Sequence, residues 1–304
     1  MPIAASLRRA SGGLLLLAAG LAGAQQQDFS KVEIEVIPVR SGIYMLSGSG
    51  GNIGLLTGPD GAIMIDDQYA PLSDKIRAAV ASVTAQPLRL LINTHWHGDH
   101  TGGNEAFGGS GAIIVAHENV RKRMSAPFFS SFFQREVPAS PAVALPVVTF
   151  ADAVTLHLNG QTLAVEHLPA AHTDGDAIIR FVEANVVHMG DLFFNGLYPF
   201  IDHASGGSVP GMLAAIDRVL PTLDADTRVI PGHGPLSDRA GLQAFRDMLA
   251  TVAGRVAAMA AEGRSVEDIV AAQPSAEYDE TWGKAFLTPE RFVRLVCQSY
   301  ACRQ

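Results

Sequence analysis

The chain is 304 residues long, and its 22 Lys and Arg against 30 Asp and Glu give a formal net charge of −8. That balance argues against a nucleic-acid partner, which would need clustered cations. A composition 48% hydrophobic and 17% charged is too apolar for disorder and ample for a sizeable core, with no linker, charge run or repeat to divide it.

Arg8 and Arg9 precede an apolar run from Leu14 to Leu21, and Ala22-Gly23-Ala24 follows in the A-x-A form of a cleavage site. The run is too short to span a bilayer comfortably. Residues 1–24 are therefore expected to be a signal peptide, and 25–304 one exported domain, periplasmic or secreted, with no stable membrane anchor after processing.

Short apolar runs punctuated by Gly, Asn and Asp predict strands over Asn52–Thr57, Ala62–Ile65, Leu88–Ile92, Ala112–Ala116, Thr162–Leu168, Ala177–Phe181, Asn185–Met189 and Arg228–Ile230. Helical periodicity lies between some of them, over Ser73–Val83 and through Met212, Ile216, Val219 and Leu220, with Pro210 near the start where its missing N–H costs little. Beyond residue 237 the pattern changes. Leu242, Phe245, Leu249, Val252, Val256 and Met259 recur at three and four residues, one face of a long helix, and shorter helices are expected from Ser265 and Thr288 within a C-terminal helical part, 238–304. The two cysteines, Cys297 and Cys302, could pair only if the last helix ends between them; otherwise they are partly buried thiols.

The chemistry concentrates in Thr94-His95-Trp96-His97-Gly98-Asp99-His100-Thr101-Gly102-Gly103-Asn104, directly after the strand ending at Ile92. Neutral imidazoles and a carboxylate are good zinc ligands, and a turn opened by Gly98 can aim alternate side chains at two metals. A polar loop with incidental histidines would not be expected to pack ligand types so densely.

This stretch resembles the His-x-His-x-Asp-His signature of the metallo-β-lactamase superfamily, which also holds glyoxalase II thioesterases, lactonases and persulfide dioxygenases. Ala171-His172-Thr173-Asp174, Met189-Gly190-Asp191-Leu192-Phe193 and Pro231-Gly232-His233-Gly234 resemble its later ligand-bearing segments, in the expected order. The resemblance implies an α/β fold, an αββα sandwich with extra C-terminal helices and the site at one sheet edge. It also implies two zinc ions per chain, one held by His95, His97 and His172, the other by Asp99, His100 and His233, with Asp191 between them. Metal-assisted hydrolysis follows as the reaction class, with a bridging hydroxide as nucleophile and Asp99 as both ligand and orienter.

Outside that set, His157, His167 and His117 read as structural residues. His188, before the Gly190-Asp191 turn, could bond a ligand from behind, Asp174 and Asp176 could orient one or cap a turn, and His203 and Tyr198 could line the pocket. Phe128 and Phe129, in the Phe-rich stretch from Pro127 to Phe133 outside any expected strand, either fill a core or wall a pocket for a small-molecule substrate with a hydrophobic body. No cysteine lies near the ligands, unlike lactamases that use one, and Asp191 is more like glyoxalase II and lactonases. Export and a single C-terminal lysine, Lys284, count against glyoxalase II, and the full ligand set counts against a mono-iron persulfide dioxygenase. The expectation is a hydrolase of cyclic amides or esters, β-lactams or lactones; the alternatives are those two enzymes and a non-catalytic binding protein.

Overall fold

The computed structural model describes residues 28–130 and 134–303, so the expected leader 1–24, and Phe132 and Phe133, lie outside the described residues. The first half runs β1 (Glu35–Arg40), β2 (Ile43–Ser47), β3 (Ile53–Leu56), β4 (Ala62–Ile65), α1 (Ser73–Ala81), β5 (Leu88–Ile92), α2 (Gly98–Thr101), α3 (Asn104–Gly109), β6 (Ile113–His117), α4 (Glu118–Met124), β7 (Phe128–Ser130), β8 (Arg135–Val137) and β9 (Val148–Phe150). Strands β1 to β6 and β9 form one sheet in that order. Short turns make β1 to β4 antiparallel, whereas the longer connections through α1 and α3 set β4, β5 and β6 parallel.

The second half runs β10 (Ala153–Leu158), β11 (Gln161–His167), β12 (Ala177–Phe181), β13 (Val186–His188), α5 (Val209–Val219), β14 (Arg228–Ile230) and β15 (Ser237–Asp238), then α6 (Arg239–Ala261), α7 (Val266–Ala271), α8 (Asp279–Trp282) and α9 (Pro289–Gln298). Strands β10 to β15 form a second sheet in sequence order. Between the sheets, Ile43, Met45, Ile63 and Ile92 meet Leu163, Val165, Ile179 and Ile230. On the outer face of the first sheet, Ile76, Val80 and Phe107 pack on Leu55, Met64 and Leu91. On that of the second, α5, α6 and α9 share a core with Val187 and Val229. These are the four layers of an αββα sandwich. Runs such as Ala62–Ile65 are apolar at every position because both of their faces are covered.

The C-terminal helices start where side chains satisfy their free N–H groups. Asp238 caps α6, Ser265 and Asp268 form a capping box on α7, and Thr288 caps α9 ahead of Pro289. One expectation changes. Phe128–Ser130 is a strand after all, pairing antiparallel with Arg135–Val137 in a small ribbon apart from both sheets. The two readings left open for the cysteines resolve to the second: α9 ends at Gln298, with Ala301 at φ 50° letting the Cys302 N–H reach the Cys297 carbonyl at 3.5 Å, and both cysteines are buried free thiols. Among the described residues no helix is long and apolar enough to cross a membrane.

Candidate metal centre

Five strand ends deliver the site. The parallel strands β4 and β5 finish side by side, placing Asp66 beside Thr94, whose backbone N–H and hydroxyl both donate to the Asp66 carboxylate at 2.7 Å. His95 and His97 follow on the loop, and the single turn of α2 presents Asp99 and His100. His172 lies on the β11–β12 loop, where the buried Asp176 carboxylate accepts the backbone N–H groups of His172 and Thr173 at 2.7 and 2.8 Å. Asp191 follows β13, and His233 follows its parallel neighbour β14. The site thus sits at one edge of the sandwich, where sheet termini leave backbone free to form loops.

His95, His97, His172 and Asp191 each offer a ligand atom within 4.8 Å of the others, and so do Asp99, His100 and His233. Asp191 lies between the two sets, with Oδ2 3.4 Å from both His172 Nε2 and His233 Nε2, and Oδ1 3.1 Å from His100 Nε2. Its Oδ1 is buried without a hydrogen bond. Close backbone approach makes room for this packing: a Cβ on Gly232 would stand 2.1 Å from Asp191 Oδ1, and one on Gly51 2.1 Å from the His100 ring.

The remaining imidazole nitrogens show why a cation fits. The Phe200 carbonyl can only accept, so its 2.8 Å contact with His172 Nδ1 places that ring's proton there, and Asp202 Oδ2, 3.0 Å from His97 Nε2, does the same for His97. With both rings neutral, His172 Nε2 and His97 Nδ1 face each other as lone pairs at 2.9 Å, with His95 Nε2 3.2 Å from the latter. A bound cation turns that repulsion into coordination, and the N and O donor set suits zinc.

The electrostatics agree. Burial lowers the His95 pKa well below its usual value and takes His172 down to about 4, so both imidazoles stay neutral and able to ligate. Burial alone would raise Asp191, but His100 and His233, whose own pKa values its carboxylate raises, hold it well below the usual carboxylate range.

Three supports were not among the expected site residues. Asp66 Oδ2 lies 2.8 Å from His100 Nδ1, Asp202 holds His97, and the Phe200 carbonyl holds His172. A carboxylate immediately after the apolar run Ala62–Ile65 was the only sequence signal for Asp66, and a backbone carbonyl leaves no signal. His188 is buried and close by, but its Nε2 faces the Asn52 carbonyl and its Nδ1 accepts the Gly190 N–H, so it bonds no ligand side chain and braces the turn before Asp191. Asp174 pairs with Arg123 at 2.7 Å. His117 and His167 stack on each other at 3.7 Å, away from the ligands.

The centre opens into a cavity of about 1060 Å³, which His97, Asp99, Asp191 and His233 line beside Trp96, Phe194 and Phe200. Phe128 reaches it edge-on to Trp96, ring centroids 4.5 Å apart, and Phe129 lines it at 58% exposure. Tyr198 also lines it, but its hydroxyl donates to Asp279 Oδ1 at 2.7 Å and points into the helical part. His203 does not line it; its Nε2 turns to the Leu295 carbonyl of α9 at 3.0 Å. Phe286, from the α8–α9 connection, is a wall residue that local sequence did not single out.

Comparison with known proteins follows the same lines. The family model described as metallo-beta-lactamase superfamily matches residues 46–233. A hydroxyacylglutathione hydrolase from Polaromonas sp. is 29% identical over 166 residues, 54% of this chain and 55% of its own, so the chain spans about half the length of that relative. The acyl-coenzyme A thioesterase MBLAC2 of Gallus gallus is 25% identical over 223 residues, 64% of this chain and 79% of its own. Among solved structures, a metallo-beta-lactamase from Pontibacter korlensis superposes with a TM-score of 0.57 at 21% identity, covering 72% of this chain and 99% of that one.

Proposed function

Because this chain belongs to the metallo-beta-lactamase superfamily, we propose that it is an exported metal-dependent hydrolase that adds water to a carbonyl carbon, with two zinc ions per chain and a cyclic amide or ester, a β-lactam or lactone, as substrate. The observation that carries this reading is the pair of ligand sets meeting at Asp191, with lone pairs opposed at 2.9 Å. Zinc ions held by His95, His97 and His172 and by Asp99, His100 and His233, with Asp191 between the sets, would supply an activated water and a polarised carbonyl. The chain's own residues do the rest. Asp99 lines the cavity with its Oδ2 3.4 Å from His233 Nε2, where it can accept a hydrogen bond from the attacking water and fix its direction. Asp66, Asp202 and the Phe200 carbonyl hold the imidazole rings, so little reorganisation accompanies reaction. The apolar wall seats the body of the substrate.

A second reading, thioester hydrolysis, is favoured by the name of the Gallus gallus relative and by the presence of Asp191 with no cysteine among the ligands. Elemental analysis of protein isolated from the exported fraction, followed by lactam, lactone and thioester panels, tests both. About two zinc ions and lactam or lactone turnover are expected. Turnover of thioesters alone selects the second reading, a single iron overturns the two-zinc site, and no turnover at full loading leaves a binding protein.

A further inference from the structure

The sequence contains four lysines, and three are committed to protein acceptors. Lys31 pairs with Asp28 at 3.4 Å, Lys75 donates to the carbonyls of Phe29, Ser30 and Val32, and Lys284 pairs with Glu280. Lys122 differs. Its neighbours on α4 are spent, Arg121 on the Pro146 carbonyl and Arg123 on both Asp174 oxygens at 2.7 Å. The ammonium of Lys122 has no acceptor among the described residues, and the residue lines the cavity of the metal centre. The acids on the same wall are already answered: Asp174 by Arg123, and Asp202 by His97 and the Ser205 hydroxyl. An exposed cation with no acceptor among the described residues thus lines a cavity whose wall also carries Trp96, Phe128, Phe129, Phe200 and Phe286.

We infer that Lys122 is a specificity residue that recognises a carboxylate carried by the apolar body of the substrate, away from the bond that is cleaved. The inference rests on the hydrolase reading and narrows its substrate class to carboxylate-bearing amphiphiles. A single ammonium suits a monoanion, whereas a phosphate dianion is more often met by several donors or a guanidinium fork. The lysine stem can lie along such a wall while its charge stays wet until the ligand arrives.

The test uses the zinc-loaded protein and matched aryl esters whose acyl chain ends in a carboxylate or in a methyl group. The wild type should favour the carboxylate ester through KM, by roughly five- to twentyfold, the range between an exposed ion pair and a charged hydrogen bond. Lys122→Gln should erase that preference and Lys122→Arg should keep it. A preference that survives Lys122→Gln, or a wild type without one, overturns the inference. Calorimetric binding of an ω-phenylalkanoate against its neutral amide needs no turnover. Selectivity there that Lys122→Gln removes, with no ester hydrolysed, sinks the hydrolase reading and keeps the role of Lys122; hydrolysis without selectivity does the reverse.

Discussion

At the scale of single residues, the centre depends on side chains that present one nitrogen or oxygen to a cation while another atom is tied down. Asp191 is the extreme case, since its oxygens face imidazoles of both candidate ligand sets. Replacing it with Asn keeps the size but gives a poorer zinc ligand that cannot offset a dication. Asp191→Asn should therefore lose about one zinc per chain and lower turnover by orders of magnitude. Asp202→Asn should do less, a loss of roughly 10- to 100-fold in metal affinity or activity, because it touches only the far nitrogen of His97. Zinc titration with kinetics on the same samples checks both; an Asp191→Asn protein with two tight zinc ions and full activity would remove the bridge from the site. The ligand types were legible from the spacing of His95, His97, Asp99 and His100. Their supports were not, because Asp66 and Asp202 come from other segments and Phe200 contributes only a carbonyl.

At the scale of elements, the β7–β8 ribbon answers the question raised by the Phe-rich stretch, and it does so differently for the two rings described. Phe128 packs edge-on to Trp96, so its loss costs both a wall and a packing contact. Phe129 is 58% exposed and lines the cavity. Phe129→Ala should thus raise KM severalfold for substrates with bulky apolar bodies while stability stays within about 0.5 kcal/mol, as for an exposed site. Steady-state kinetics across a substrate size series, with melting curves, decide it: a fall in Tm with no size-dependent change in KM would make Phe129 a packing residue. Strand β4 was readable to the residue because a strand buried on both faces is apolar throughout, and β5, β12 and β14 because each is a short apolar run interrupted or opened by a single Arg. Phe128–Ser130 was not, since a ribbon outside both sheets buries no continuous face and leaves no alternation to read.

For the whole molecule, burying a centre of imidazoles makes stability depend on pH when metal is absent. His172 titrates near 4 in the folded protein against an ordinary value of 6.5, so between those limits the unfolded chain binds more protons. The contribution is complete above about 6.5 and is lost as pH falls through about 4. Asp176, pushed up to about 8 by burial, and His100 and His233, raised by Asp191, act in the opposite sense, so the check is site-resolved: in an NMR titration of the metal-free protein the His172 imidazole should stay neutral down to about 4, and protonation near 6.5 would mean that burial does not hold it neutral. The sequence by itself determined the alternation of strands and helices, the long C-terminal helix and the cluster of candidate ligands from His95 to His100, because a strand covered on both faces, a helix with one covered face and a coordination sphere each impose a residue type at a short spacing; His172, Asp191 and His233 were reached only through the resemblance of their segments to a family. The tertiary structure alone decided which oxygens tie the imidazoles, that His203 turns to α9 while Phe286 walls the cavity, and that Lys122 is left without an acceptor among the described residues. Those outcomes depend on segments tens of residues apart meeting within a few ångströms, and no local pattern records such a meeting.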